Sequence, residues 1–308
     1  MRAFPPITMT VPASAASTPL YDVLLAASDL ATVDPIVAHG GVWLNQRRVQ
    51  DVYQPAPTGA QVTLHRPPDG SYRPIRIDAD SICYEDDWLL ALNKQPGWYT
   101  TPTPWDAYNN IRTALTVWLR TRDGEQAYVH LTHQLDRDTS GVLLCTRDPS
   151  VNPLVQMVFD MGDITKEYVA LCMGEPGADV FEVQSGHGRG RAGLWRLYER
   201  DEVGRELANG SRVKFAHTSF TVERRLGDAT LVRARLHTGR THQIRLHLAS
   251  VGHPIIGDTR YGGPAEFRNA PLVHHLLHAA CLRFEHPVTA AQLEIQAALP
   301  AALALLLP

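Results

Sequence analysis

An acidic loop ahead of an apolar run is the first place where this chain could carry out chemistry. Residues 133–141 read HQLDRDTSG and lead into GVLLCT, a run that predicts a buried strand. Thr139, Ser140 and Gly141 are residue types that form turns and caps. A carboxylate in such a loop, here Asp136, can act as a nucleophile when a cation keeps it ionised. The alternative is a solvated polar loop, and residue types alone do not separate the two.

A second segment combines arginines with a helical pattern. Residues 236–249 read LHTGRTHQIRLHLA. We expect Thr241 to cap a helix over 241–250 whose Ile244 and Leu248 face the core. The helix start, together with Arg240, would suit a phosphate or carboxylate, and Arg245 could supply a fixed cation one turn later. An ordinary amphipathic helix with charged flanks is the alternative.

Tyr168 is the aromatic residue of a third segment, KEYVA, at residues 166–170. The pattern predicts a strand over 166–173. A tyrosine in that position could stack on a nucleic-acid base. The alternative is a half-buried strand residue without a ligand.

A histidine cluster suggests a different chemistry. Residues 274–278 read HHLLH, and on a helix His274 and His278 would share one face at a spacing that can hold a metal. No carboxylate lies between Pro271 and Arg283 to complete a ligand set. We therefore predict no metal site, and a histidine-metal hydrolase stays as an alternative of another class.

Composition bounds the kind of protein. The 308 residues are 44% apolar and 20% charged, as expected for a globular catalytic domain with a small appendage. The four cysteines stand singly, without a CxxC pair, which argues against a zinc ribbon or disulfide framework and fits a cytoplasmic setting. We expect no membrane span, because no run approaches about 18 apolar residues.

The net charge of −3 conceals a local excess of basic residues. Between Gly186 and Arg245 the chain has 13 Lys and Arg against 6 Asp and Glu. A basic face on an otherwise acidic protein suits a polyanion that docks in one place. An arginine-rich solvated β-surface is the alternative.

The chemistry-bearing segments need elements to position them. Residues 1–18 are rich in Pro, Ser and Ala and are expected to be disordered, and residues 19–70 predict a small α+β module. The turn-forming sequence RPPDG at 66–70 predicts a boundary before a catalytic domain over 75–308. That domain shows strands and helices without regular βαβ alternation, which predicts an α+β fold.

Taken together, the segments resemble the RluA family of pseudouridine synthases over about residues 80–300. HQLDRDTSG is similar to the family's HRLDxxTSG motif, and KEYVA is similar to the segment that bears its active-site tyrosine. GRTHQIRLHLA followed by GHPIIGD at 252–258 is similar to the next motif. The segments LHA at 277–279 and FEHP at 284–287 resemble the closing motifs and give the histidine cluster a structural explanation.

The resemblance implies a fold, an activity and a set of catalytic residues. The fold would be that of the pseudouridine synthases, a mixed and largely antiparallel central sheet flanked by helices and loops. The activity would be isomerisation of specific uridines in ribosomal or transfer RNA, by a monomer without cofactor or metal. Asp136 would be the nucleophile, Tyr168 would stack on the base, and Arg245 would pair with Asp136.

The resemblance also directs attention to RNA contacts. Gln134 stands where the family has arginine, and residues 94–97 read KQPG where KPxG is common. A catalytically inactive RNA-binding protein is the alternative, although the catalytic set is intact. The residues expected to bind RNA are Gln134, Arg137, Lys94, Arg240, Arg224 and Arg225.

The N-terminal module resembles the small RNA-binding domain of the ribosomal S-four type. The resemblance rests on GGVWLNQRRV at 40–49 and GAQVTLHRP at 59–67. Such domains present a basic helix to RNA, yet no Lys or Arg occurs from Ala3 to Gln46. We expect a degenerate module in which Arg47, Arg48 and Arg66 are the remaining basic contacts.

Overall fold

The computed structural model describes residues 4–190 and 194–306. The chain divides into two compact units, one of Met1–Ile77 and Tyr99–Glu125 and the other of Asp78–Trp98 and Gln126–Pro308. Among the described residues, none of the helices has the length and apolar character needed to cross a bilayer.

The first unit is a four-stranded sheet with three α-helices. The sheet has the order β1-β4-β2-β3, and Leu24, Val33 and Val62 are fully buried in one cluster between helices and sheet. Two helices begin where a side chain accepts a backbone N–H: Asp29 from Thr32, and Asn110 from Thr113, as N-caps do. The elements are β1 (Ile7–Thr10), α1 (Leu20–Ala27), α2 (Leu30–Ala38), β2 (Val42–Leu44), β3 (Arg47–Arg48), β4 (Gln61–Leu64) and α3 (Ile111–Asp123).

The expectation of disorder over residues 1–18 is wrong for part of that segment. Residues 7–10 form β1, which pairs antiparallel with β4. The sequence ITMT alternates: Ile7 and Met9 pack against the core, while Thr8 and Thr10 are exposed. That period-2 pattern is the signature of a half-buried strand, and the neighbouring prolines obscured it. Residues 1–3 lie outside the described part of the chain.

The segment 99–125 was assigned by sequence to a continuous catalytic domain over 75–308, but it belongs to the first unit. The Ala107 N–H donates to the His39 carbonyl at 2.8 Å. The Trp43 indole N–H donates to the Pro104 carbonyl, also at 2.8 Å. These bonds join residues more than 60 positions apart, a distance over which sequence patterns carry no signal.

The second unit is built on an 11-stranded sheet. Nine strands follow the order β11-β10-β12-β13-β9-β16-β8-β6-β5, with β17 paired to β16 and β7 to β8. The sheet is antiparallel except at β8–β16, so the mixed, largely antiparallel sheet predicted from sequence is confirmed. The strands are β5 (Ile82–Glu85), β6 (Leu89–Lys94), β7 (His130–Leu131), β8 (Ser140–Thr146), β9 (Thr165–Met173), β10 (Val180–Arg189), β11 (Trp195–Tyr198), β12 (Lys214–Arg225), β13 (Ala229–Leu236), β16 (Leu277–Glu285) and β17 (Gln292–Gln296). Outside this sheet lie α4 (Asn152–Met161), α5 (Gln243–Ser250), α6 (Ala301–Ala304) and the hairpin of β14 (Glu266–Phe267) and β15 (Ala270–Pro271).

The parallel pair of β8 and β16 fixes the start of the buried central strand. Ser140 lies opposite His278, and Gly141 lies opposite Ala279. Gly141 has φ of +109°, and a Cβ atom there would come within 2.1 Å of the Ala279 carbonyl oxygen. Only glycine fits this close approach. The pairing thereby sets where the loop 133–139 leaves the sheet.

Candidate active site

A cavity of about 360 Å³ opens in the second unit where three segments meet. They are the loop before β8, the start of β9, and the connection from β13 into α5. Asp136, Tyr168 and Arg245 all line this cavity. The structure thus brings together the three residues that the sequence predicted to act in catalysis.

Asp136 and Arg245 form an ion pair at the wall of the cavity. Arg245 Nη1 donates to Asp136 Oδ2 at 3.0 Å, and the Arg245 side chain is only 8% exposed against 22% for Asp136. Arg245 also donates through Nε and Nη2 to both oxygens of Asp258, at 2.7 and 2.8 Å. Such bidentate contacts fix a guanidinium in one orientation. Asp136 therefore meets a rigidly held cation.

Burial and charge act against each other on Arg245. Burial alone would lower the pKa of Arg245, but hydrogen bonds and charge from Asp258, followed by Asp136, outweigh it and raise that pKa. Asp258 is nearly inaccessible, at 2% exposure. Because a buried carboxylate must be paired, Asp258 and Arg245 depend on each other.

The start of α5 differs from the predicted cap. The helix begins at Gln243, and the residue before it, His242, has φ of +59° and no capping side-chain bond. The expectation that Thr241 caps the helix is therefore wrong. The Gln243 side-chain oxygen instead accepts from Thr238 Oγ1 at 2.7 Å and from the Arg240 N–H at 3.0 Å. This folded-back connection holds the start of α5 in place, with Arg245 in the first turn of the helix.

His242 is a site residue for which the sequence motifs predict no role. Its Nδ1 lies 2.7 Å from the Tyr261 hydroxyl, and its Nε2 lies 3.7 Å from Asp136 Oδ1. Burial lowers the pKa of His242 to about 4, so the imidazole is neutral at pH 7. Its left-handed backbone is uncommon for a non-glycine residue. Only the folded chain shows that this histidine faces Asp136.

Tyr168 lies on β9 with its ring facing the cavity. The residues directly opposite on the two neighbouring strands are Ala234 and Ala279. Cross-strand partners share a face of the sheet, so these small side chains leave space beside the ring. Burial, and then the charge of Asp136, raise the pKa of Tyr168. Its hydroxyl is therefore protonated at neutral pH.

Lys166 is a cavity cation that the sequence analysis missed. It precedes Tyr168 by two strand positions and lines the same cavity. Burial, and then the nearby charge of Arg240, lower the pKa of Lys166. The period of two along a strand was the signal that could have found it.

The histidine cluster holds the Asp136 loop and does not lie on a helix. His278 is in β16, and His274 and His275 precede that strand. The predicted helical face is therefore wrong, because β16 pairs with β8 and β9. Each histidine contacts one residue of the loop at 2.9 Å: His274 to Asp138, His275 to Thr139, and His278 to Ser140.

Lys94 supports the Asp136 loop from the protein interior. The prediction that Lys94 contacts RNA is wrong. It is completely buried, and its ammonium group donates to the backbone carbonyls of Gln95, Arg137 and Thr139 at 3.1, 2.6 and 2.7 Å. Burial lowers the pKa of Lys94 to about 7, although the charges of Asp138 and Asp136 oppose that shift. A side chain enclosed in this way has no surface to offer to RNA.

The other residues predicted to contact RNA fall into two groups. Gln134 and Arg240 line the cavity. Arg137 forms a two-point ion pair with Asp138 and lies outside the lining that the structure describes. Arg224 and Arg225 lie opposite the start of β13 in the sheet. That start is about 20 Å along the strand from the end of β13 at the cavity. The structure does not bring these three arginines to the cavity.

The known proteins that are similar to this chain belong to the family that its sequence motifs resemble. The sequence profile of the RNA pseudouridylate synthase family matches residues 88–250. RNA pseudouridine synthase 1 of Arabidopsis thaliana is 36% identical over 280 residues, which cover 80% of this chain and 84% of that protein. Ribosomal large subunit pseudouridine synthase C of Vibrio vulnificus is 35% identical over 275 residues, covering 85% and 82%.

A solved structure shares the fold. The human RNA pseudouridylate synthase domain containing 4 superposes with a TM-score of 0.61 at 22% identity, over 73% of this chain and 90% of that one. The sheet of the second unit is thus that of the pseudouridine synthase fold. The chain belongs to the RNA pseudouridylate synthase family and is an RNA pseudouridine synthase, an isomerase.

Proposed function

We propose that Asp136 is the catalytic carboxylate that this enzyme uses to isomerise uridine within RNA. The observation that carries the proposal is the Asp136–Arg245 pair at the cavity wall, in which the carboxylate stays reachable while the cation is buried. Asp136 has one oxygen on Arg245, and its other oxygen lies 3.7 Å from the neutral His242. A carboxylate held in this way is oriented toward the cavity without being enclosed.

The reaction breaks the N1–C1′ glycosidic bond, turns the uracil, and joins C5 to C1′; C5 then loses its proton and N1 gains one. No atom is gained or lost, so the residues of the site must hold one nucleotide while the bond is exchanged. The target base has to leave its stack to reach a cavity, which costs a few kcal/mol and is offset by contacts in the pocket. Tyr168 supplies an aromatic face for that base, and Arg245 positions the carboxylate.

The substrate we propose is ribosomal RNA of the large subunit. Several relatives that align over most of this chain are named ribosomal large subunit pseudouridine synthase C. The cations Lys166 and Arg240 at the cavity are suited to the phosphates that flank a flipped nucleotide. Mapping pseudouridine in cells with and without the gene tests this assignment. Loss confined to transfer RNA would contradict it.

The catalytic proposal is tested with two matched carboxylate variants of one loop. Asp136→Asn keeps the size of the side chain and removes its charge, and we expect pseudouridine formation to fall by at least about 10³-fold with the melting temperature little changed. Asp138→Asn is the control, because Asp138 pairs with His274 and Arg137. We expect this control to lose stability while it keeps measurable turnover. Near-normal turnover by Asp136→Asn would show that another group does the chemistry.

A further inference from the structure

A second group of chemically capable side chains lies on the sheet, apart from the catalytic residues. Glu182 on β10, His217 on β12 and His237 just after β13 each offer one ligand atom, and these atoms all lie within 4.8 Å of one another. We propose that the three residues form a site for a divalent transition-metal ion of the zinc type. The cluster is unrelated to the HHLLH segment, whose histidines hold the catalytic loop.

The strand register explains why three distant residues converge. Glu182 lies opposite Ser219, and His217 precedes Ser219 by two positions. The side chains of Glu182, Ser219 and His217 therefore share a face of the sheet. The His237 N–H donates to the His217 carbonyl at 3.1 Å, which brings the third ligand beside the second. The placement is therefore fixed by backbone pairing in a sheet and not by a flexible loop.

The distances suit a small ion. His217 Nε2 lies 3.2 Å from Glu182 Oε2, close to the ligand-to-ligand edge of about 3.3 Å around tetrahedral zinc with bonds near 2.05 Å. The Ser219 hydroxyl lies 2.7 Å from His237 Nε2 and 2.9 Å from Glu182 Oε1. His217 thus directs its Nε2 toward the carboxylate, and His237 directs its Nε2 toward the Ser219 hydroxyl that bonds the same carboxylate.

The stacked arrangement of the two imidazole rings must change before both can bind one ion. The rings of His217 and His237 lie 4.1 Å apart between centroids with an interplanar angle of 15°, so the two ring planes are nearly parallel. Ligation requires one ring to tilt, and His237 is the exposed one. Two imidazoles and one carboxylate leave further coordination positions open to water, and this donor set is that of Zn²⁺ sites with an open position.

An ion bound by these three residues would add positive charge near the catalytic cavity. His237 begins the connection in which Gly239 and Arg240 line the catalytic cavity. Among the described lining residues of that cavity, none of the three proposed ligands occurs. With one carboxylate in the ligand set, a divalent ion would leave a net charge of about +1 beside the cavity.

The test is zinc binding by the purified full chain after treatment with a chelator. Zn²⁺ is titrated in competition with a chromophoric chelator, in excess Mg²⁺, for wild type and for His237→Ala and Glu182→Gln. His130→Ala is the matched control, because His130 is also exposed and lies in a different strand, at the start of β7. We expect both ligand variants to bind one equivalent fewer than wild type and the control to bind the same number.

A spectroscopic measurement separates true ligation from loose association. Co²⁺ added in place of Zn²⁺ should give visible d–d bands of a nitrogen and oxygen site in wild type and in His130→Ala, and these bands should vanish in His237→Ala. Circular dichroism melts verify that the variants fold. Equal zinc stoichiometry in His237→Ala and wild type, or displacement of the zinc by Mg²⁺, would overturn the proposal.

Discussion

The proposed catalytic centre and the arginine surface of the same unit hold their charges in opposite ways. In the catalytic centre, formed by Asp136, Arg245 and Asp258, the guanidinium is buried and bonds both carboxylates. The arginine surface, formed by Arg189 and Arg196, places each guanidinium over an aromatic ring. The distances to the ring centroids are 4.8 Å for Trp195 and 4.7 Å for Tyr198.

The difference teaches how one enzyme combines a fixed reaction geometry with a polymeric substrate. A buried ion pair gains little net stability, but removing one partner is costly because the other charge is left uncompensated. A cation over an exposed ring contributes about 0.5–1 kcal/mol and leaves the side chain free to adjust. We therefore expect changes at the buried Arg245 to affect turnover and stability, and changes at the arginine surface to affect affinity.

Replacing Arg245 gives the largest expected effect. Arg245→Met leaves Asp258 buried without its cation, and we expect a loss of about 3–5 kcal/mol in the free energy of unfolding. Turnover at saturating RNA should fall by at least about 10²-fold, because Asp136 loses the group that orients it. Arg245→Lys should recover only part of both, since an ammonium cannot make two parallel bonds. Urea unfolding and single-turnover assays measure these quantities. A variant that lost only RNA affinity would break the comparison.

Acid should weaken the interior around the centre. Burial lowers the pKa to about 4 in each of His133, His242, His247 and His275, against about 6.5 in an unfolded chain. Between these values the unfolded chain binds more protons, so stability falls as pH falls from about 6.5 toward 4, by several kcal/mol in total. Urea unfolding at pH 7, 6 and 5 measures the loss. His275→Gln should show a shallower decline than wild type, and equal slopes would contradict the assignment of that histidine.

Lys94→Met tests the support beneath the catalytic loop. The loop loses a donor to three carbonyls, and we expect turnover to fall by about 10- to 100-fold through misplacement of Asp136. The pKa of Lys94 is about 7 in the folded chain and about 10.4 when unfolded. Wild type should therefore gain stability relative to Lys94→Met as pH rises from about 7 to 10, by at most about 1.4 kcal/mol per pH unit. Parallel pH profiles of the two proteins would contradict this account.

The smallest effects are expected on the arginine surface. The double variant Arg189→Ala and Arg196→Ala should bind RNA more weakly and lower the slope of log affinity against log salt by about one to two units. Turnover at saturating RNA should stay unchanged. Arg225→Ala is the control, because Arg225 is already paired with Asp179 at 2.5 Å. Similar salt slopes in the double variant and the control would show that the comparison overrates this surface.

The pairing of Asp136 with Arg245 could be predicted because the sequence signal for each residue is local. Asp136 stands in a short polar loop before an apolar strand, and Arg245 stands at a fixed position in a helical pattern, so each motif is contained within about ten residues. Asp258, Lys166 and His242 gained their roles only from packing across the sheet. His274 and His278 were assigned to a helix because HHLLH fits a period of 3.6, whereas long-range pairing with β8 and β9 decided the strand.

The predicted RNA contacts show a different limit of local patterns. Lys94 stands in KQPG and Arg137 stands beside Asp136, but charge in a sequence does not reveal whether a side chain faces solvent or carbonyl groups. Lys94 is enclosed, and Arg137 is bound to its neighbour Asp138. Net charge over a segment predicts where basic residues concentrate, while their partners depend on the fold.

The parallel pairing of β8 with β16 has a consequence for synthesis on the ribosome. Strand β8, which follows the loop of Asp136, is complete by Thr146, but its parallel partner β16 begins only at Leu277. A nascent chain that has emerged as far as residue 270 lacks His274, His275 and His278, the three histidines that contact Asp138, Thr139 and Ser140. Such long-range closure is slow compared with local folding. We infer that the enzyme cannot become active during translation until His274, His275 and His278 have left the exit tunnel. Partly made chains would therefore leave uridines unmodified.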